Sequence, residues 1–241
     1  MLKDMWLALR SALFYLGLFL IIVISGTTSC FVWFLPFKQL QKVATFSNYL
    51  IINWLRLVCG VKIKIIGLEN LPVGPCVILS NHQSAWESFY IQWLAQPASF
   101  VLKRELLWLP FFGWSIATMR PIAIRRSKPT AAMRQVLKKG QERLRSGLKV
   151  VIYPEGTRNP CGQLGSFKTG GAALAKLAGV DVVALAHNAG ACWPSGSWLK
   201  SPGTIDVHIA PPLDSSAYSA REITEKAHDW VSTRLEKHEL K

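Results

Sequence analysis

Residues 11–37, SALFYLGLFLIIVISGTTSCFVWFLPF, form a run of 27 residues without a charge. About 20 apolar residues suffice to cross a bilayer as a helix, so this segment belongs in or on a membrane. Lys3 and Arg10 precede the run; Lys38 and Lys42 follow it. A secretory signal peptide fits less well. No clean small-residue cleavage site follows, and Thr27 to Cys30 match a lipoprotein site poorly. A second apolar stretch, VATFSNYLIINWLRLVCG (43–60), has Arg56 as its only charge, and Asn48 and Asn53 make it more amphipathic. The two predict a membrane-associated region, residues 1–60, built as a membrane-embedded or monotopic helix pair. Basic flanks at both ends are equally compatible with a single span.

From residue 61 the pattern changes. VKIKIIG alternates apolar residues with Lys62 and Lys64, the period of a strand. CVILS (76–80), SFVLKR (99–104), PIAIRR (121–126), DVVALAHNAG (181–190) and GTIDVHIAPP (203–212) read as further strands, and KVVIYPEGTR (149–158) as a strand running into a loop. Between them, a helix through about Leu94, PTAAMRQVLKKGQERLRSG (129–147) and GGAALAKLAG (170–179) read as helices; SAREITEKAHDWVSTRLEKH (219–238) closes the chain. Strands alternating with helices predict an α/β domain over residues 61–241, a mixed sheet covered by helices.

The net charge of +14 points to anionic partners. Ten Trp residues fit a membrane interface. Nucleic acid is not the expected partner, because the basic residues are dispersed, no recognised motif occurs, and residues 11–37 are hard to reconcile with it. The basic residues of helix 129–146 read as a solvated or membrane-facing surface. The five Cys residues are scattered with no CxxC, which indicates reduced thiols in a cytosolic setting and no metal site.

Two clusters carry chemistry. In SNHQSAWE (80–87), His82 follows a strand end and Glu87 falls in the first turns of the next helix. An imidazole is the natural base near neutral pH, and a carboxylate on its other nitrogen fixes the tautomer and stabilises the imidazolium. Ser84 is close in sequence, but no GxSxG elbow occurs. A dyad without an enzyme nucleophile suits deprotonation of a substrate hydroxyl for direct attack. Backbone amides at the start of the following helix are the candidate oxyanion donors. In YPEGTR (153–158), Gly156 follows a strand and allows backbone to approach an anion, while Thr157 and Arg158 add donors suited to phosphate. Arg125, Arg126 and Lys128 follow another strand, and Lys168 precedes a helix. His187, His208, His228 and His238 have no evident site partners in the sequence.

NHQSAWE resembles the H-x4-D/E motif of glycerolipid acyltransferases, and YPEGTR resembles their E-G-T-R motif. PIAIRRS resembles the block between them and VVALAHNAG the fourth block, in the same order and spacing, from about residue 61 to 212. The strongest resemblance is to the bacterial lysophosphatidate acyltransferase family. Arg125 stands where many members carry Asp, and Ala184 where the fourth block usually has Pro. The resemblance implies a fatty acyl transfer from acyl-CoA or acyl carrier protein to the sn-2 hydroxyl of lysophosphatidate, giving phosphatidate. It implies His82 as general base and Glu87 as its orienting partner. Arg126, Glu155, Gly156, Thr157, Arg158 and Lys168 would hold the acceptor phosphate, and no metal or cofactor is called for. The expected location is the bacterial inner membrane, with the catalytic domain on its cytoplasmic face and membrane lipid as partner. Related acyltransferases acting on glycerol 3-phosphate or a lyso-aminolipid share these motifs. A non-catalytic anionic-lipid-binding protein on the same scaffold would be expected to have lost His82 or Glu87.

Overall fold

The computed structural model describes residues 2–239, with side chains described for residues 3–236. Helix α1 (Leu2–Val32) takes up residues 11–32 of the uncharged run and is about 46 Å long at 1.5 Å per residue. It is the one described helix long and apolar enough to cross a membrane, and little of its apolar window is buried. A turn at Pro36 reverses the chain into α2 (Phe37–Cys59). This helix starts earlier than the apolar stretch at residue 43. Pro36 needs no N–H at the N-cap, and the polar turn KQLQK is helical because Leu40 and Gln41 are buried beneath it. The two helices pack as a hairpin, with Arg10 Nε donating to the Val58 carbonyl and Trp54 Nε1 to that of Leu13 at 3.3 Å.

The remaining chain runs β1 (Val61–Ile66), β2 (Val77–Ser80), α3 (Trp86–Leu94), β3 (Ala98–Lys103), α4 (Phe112–Ala117), β4 (Ile122–Ile124), α5 (Pro129–Arg145), β5 (Lys149–Ile152), α6 (Gly170–Ala178), β6 (Val182–His187), β7 (Gly203–Ile209) and α7 (Ala220–Glu239). The strands form one sheet of order β1-β7-β6-β2-β5-β3-β4. All neighbours are parallel except β6 and β7, so β1 and β7 run against the other five. The sheet is mixed and carries helices on both faces.

Period-two alternation divides the core. Ile78, Val151, Val183 and Leu185 face one side with Phe14, Ile51, Leu55 and Trp86 from α1, α2 and α3. Val77, Leu79, Val150, Ile152, Val182 and Ala184 face the other, where α5, α6 and α7 supply Val136, Leu174, Ile223 and Val231. Strands β2, β5 and β6 are buried on both sides, which is why they read as continuous apolar runs. Each large apolar side chain buried this way contributes roughly 1.5–3 kcal/mol. Ala184 pairs with Leu79 in mid-sheet, and its carbonyl accepts the Ala210 N–H. The first core takes side chains from both N-terminal helices, so packing is continuous across residue 60.

α1 is tied to the sheet domain at two further points. Lys200 is fully buried, with its ammonium donating to the Tyr15 hydroxyl at 2.9 Å and to the Trp198 carbonyl at 2.8 Å. Near the other end, Ser25 and Ser115 hydroxyls are 2.9 Å apart, and Gly26 lies against the backbone of Phe111. A Cβ at Gly26 would sit 2.3 Å from Phe111 Cα. Gly26→Val should therefore push α4 from α1, costing about 1–3 kcal/mol and lowering the melting midpoint by roughly 2–4 °C per kcal/mol. A thermal-shift scan of the detergent-solubilised protein checks this; an unchanged midpoint would show that the contact is not tight.

Candidate active site

The five co-oriented strands end on one edge, the place where α/β sheets position chemistry. His82 lies just beyond β2, the YPEGTR loop just beyond β5, and Arg125–Arg126 just beyond β4. Because β2 pairs directly with β5, the first two loops are neighbours.

His82 Nδ1 is 2.7 Å from Glu87 Oε1. The same oxygen accepts the backbone N–H groups of Gln83 at 3.1 Å and Ser84 at 2.8 Å. Glu87 is fully buried. Burial alone would raise its pKa, but the His82 hydrogen bond, the nearby imidazoles and the Ser84 amide outweigh it and hold the carboxyl below its ordinary range. An ionised Glu87 fixes the Nδ1–H tautomer of His82 and leaves Nε2 as the basic nitrogen. The His82 ring stacks on Tyr153, centroids 4.2 Å apart and planes 12° from parallel.

Ser84 Oγ accepts the Trp86 N–H at 3.0 Å just ahead of α3, and the residue is fully buried. It is occupied structurally. The amides of Gln83, Ser84 and Trp86 are likewise bonded within the protein.

Glu155 turns inward. Its Oε1 accepts the His82 backbone N–H at 2.7 Å; Oε2 accepts the Gly165 N–H at 2.7 Å and the Asn159 side-chain amide. In return, the Asn159 N–H donates to the His82 carbonyl at 2.8 Å. The carboxylate thus joins the two loops from beneath, while Thr157 and Arg158 are exposed above it. Gly156 adopts φ +76°, a conformation costly for residues with a Cβ. The Lys168 ammonium lies 3.0 Å from where a Cβ would project at Gly156, so this cation overhangs the turn.

Arg126 and Arg158 are near enough for their charges to interact. The Arg126 pKa is lowered by burial first and by the like charge of Arg158 second, with Glu105 partly offsetting them. Two guanidiniums that repel each other are stabilised by an anion between them, and their paired forks suit phosphate. Arg125 points elsewhere, into a groove with Arg104, Lys128 and Lys139.

A cavity of about 130 Å³ adjoins the site. Tyr153 and Arg158 lie at its margin, and its walls include Ile22, Ile51, Phe89 and Ile116 from α1, α2, α3 and α4. It is predominantly apolar and runs between the catalytic edge and the N-terminal helices.

The sequence reading passed over Tyr153 and Asn159. Both flank or sit inside the recognised motif, but a stacking ring and a loop-tying amide leave no spacing signal. His187 is buried, accepts the Ala189 N–H on Nδ1 at 3.3 Å and lies 3.0 Å from the Asn81 carbonyl through Nε2. That arrangement makes it a neutral imidazole pinning β2 to β6, and burial lowers its pKa. His208 lies on β7, and His228 packs edge-on against Phe167. The His238 side chain lies outside the described residues. All five cysteines are free, with Cys59, Cys76 and Cys192 buried and Cys30 and Cys161 exposed. Among the described residues, no three His, Cys, Asp or Glu side chains converge as a metal-binding group.

The chain is similar to known proteins. The family model described as Acyltransferase matches residues 62–188, just over half of the chain. A Pseudomonas aeruginosa 1-acyl-sn-glycerol-3-phosphate acyltransferase is 46% identical over 233 residues, covering 95% of this chain and 91% of that protein. The human 1-acyl-sn-glycerol-3-phosphate acyltransferase beta is 30% identical over 186 residues, covering 74% of this chain and 67% of that protein. The crystal structure of a Thermotoga maritima 1-acyl-sn-glycerophosphate acyltransferase superposes with a TM-score of 0.84, covering 99% of this chain and 98% of that one at 24% identity, and so shares the fold. The chain, an enzyme by these relationships, belongs to the 1-acyl-sn-glycerol-3-phosphate acyltransferase family.

Proposed function

We propose that the protein transfers a fatty acyl group from acyl-CoA or acyl carrier protein to the sn-2 hydroxyl of 1-acyl-glycerol 3-phosphate, yielding phosphatidate for phospholipid synthesis. The observation that carries this reading is the 2.7 Å His82–Glu87 pair, on the sheet edge that also bears Arg126, Arg158 and an adjoining apolar cavity.

The acceptor phosphate binds Arg126 and Arg158, with Lys168 and Thr157 beside them. Glu155 and Gly156 shape the loop. His82 Nε2 takes the proton of the acceptor hydroxyl as its oxygen attacks the thioester carbonyl. The tetrahedral intermediate then expels the thiolate, which takes that proton back from the imidazolium. An alcohol needs this help because it is a poor nucleophile while protonated, whereas a thiolate leaves readily, with thiol pKa about 8.5. The buried Ser84 hydroxyl is held on the Trp86 N–H, which favours direct transfer over an acyl-enzyme. The apolar cavity takes a fatty chain, and the exposed flank of α1 seats the enzyme in a bilayer that supplies the lysolipid. In a bacterium, a soluble thioester donor places the catalytic domain on the cytoplasmic face of the inner membrane.

Acyl transfer from labelled oleoyl-CoA should be measured with lysophosphatidate, glycerol 3-phosphate and a lyso-aminolipid as acceptors. The reading predicts phosphatidate from lysophosphatidate; product from another acceptor alone would overturn the acceptor assignment. Glu87→Gln should lower kcat by about 10²–10⁴-fold, and near wild-type turnover would remove Glu87 from the mechanism. Arg158→Ala deletes charge-assisted hydrogen bonds worth about 1.5–3 kcal/mol. It should raise the KM for lysophosphatidate about tenfold or more; an unchanged KM would place the phosphate elsewhere.

A further inference from the structure

A second concavity, of about 410 Å³, opens beside α5. Arg104, Arg125, Lys128 and Lys139 line it, and no carboxylate does. Leu107 and two alanines of α5 supply an apolar part of the lining. Among the described residues, none of the four cations forms an ion pair. The groove is the focus of a wider bias: residues 103–146 contain eleven Lys and Arg against two Glu, a net +9 of the chain's +14. Unpaired cations gathered in a concavity bind polyanions more readily than cations spread over a surface.

Its position relates it to the catalytic edge. Arg104 immediately follows β3 and Arg125 immediately follows β4, so the groove opens where the co-oriented strands end. From β2, which carries His82, the strand order runs through β5 and β3 to β4. Three strand spacings make about 14 Å. A pantetheine arm is about as long as five extended residues, roughly 17 Å. A handle seated in the groove can therefore deliver its thioester to His82. The consecutive arginines divide between the two sites, Arg126 beside Arg158 and Arg125 in the groove.

We propose that this groove binds the nucleotide handle of a coenzyme A thioester. The inference rests on the acyl-transfer reading above and names its donor. The diphosphate and the 3′-phosphate of that handle carry about four negative charges at neutral pH, which four cations match. The base lies on the apolar lining. A concave site with an apolar part and a few convergent charges has the form of a small-molecule site, whereas the acidic helix of a carrier protein calls for an open surface.

The test uses the full-length, detergent-solubilised protein. Titration calorimetry with adenosine 3′,5′-bisphosphate should show saturable binding that Lys128→Glu/Lys139→Glu abolishes. The same double variant should raise the KM for oleoyl-CoA about tenfold or more, leaving the KM for lysophosphatidate and for oleoyl-pantetheine, which lacks the nucleotide, unchanged. Lys128→Gln repeats the measurement with a milder change if the double variant folds poorly. No nucleotide binding by wild type, or equal binding by wild type and variants, overturns the assignment. A KM effect confined to acyl carrier protein assigns the groove to an acidic protein, and lost binding to anionic phospholipid vesicles with both donor KM values unchanged assigns it to lipid; either also overturns it. Wild type that binds the nucleotide but transfers no acyl group from any donor sinks the acyltransferase reading and leaves the groove standing.

Discussion

The geometry of the candidate site depends on one buried carboxylate. Glu155 binds the His82 backbone N–H, the Gly165 N–H and the Asn159 side chain, and Asn159 closes the circuit on the His82 carbonyl. Two loops from adjacent parallel strands are thereby held in one register. That register carries the imidazole and, on the far side of the same turn, the exposed Thr157 and Arg158. Backbone-directed hydrogen bonds to a charged group are stronger than neutral ones, and here they sit in a buried place where water competes little. The acid of the E-G-T-R segment thus acts on the architecture of the site, while its neighbours meet solvent.

A similar economy holds around the histidine. One oxygen of Glu87 collects the His82 ring and two backbone amides, so the carboxylate orders the loop and the base together. Its other oxygen has no hydrogen-bond partner. The N-terminal helices add an apolar wall. Ile22 and Ile51 line the cavity that ends near Tyr153 and Arg158, and Lys200 and Gly26 fix α1 against the domain bearing those residues. The N-terminal helix pair and the sheet domain are thus packed as one unit.

Much of this was legible in the residues because it is periodic or local. Buried strands such as VILS and KVVI are short apolar runs bounded by turns, and the sheet keeps them as such. The separation of His82 and Glu87 spans a strand-to-helix turn, which brings side chains five residues apart into contact. What stayed hidden depends on contacts between distant segments. Nothing in YPEGTR marks its Glu as turned inward, because the partner N–H belongs to His82, 73 residues away. The start of α2 was obscured since polar KQLQK becomes helical only with Leu40 and Gln41 buried. That Glu87 and Ser84 bind the amides of Gln83, Ser84 and Trp86 is equally a matter of the folded loop. The direction of Arg125 relative to Arg126 is likewise a matter of tertiary packing.

The central claim is that His82 is the base for direct transfer. Its most direct test is labelled phosphatidate formation from oleoyl-CoA and lysophosphatidate by purified wild type and by His82→Ala, with melting midpoints compared to confirm folding. The account predicts product from wild type and loss of nearly all transfer in a folded His82→Ala. A folded His82→Ala that turns over like wild type would contradict it.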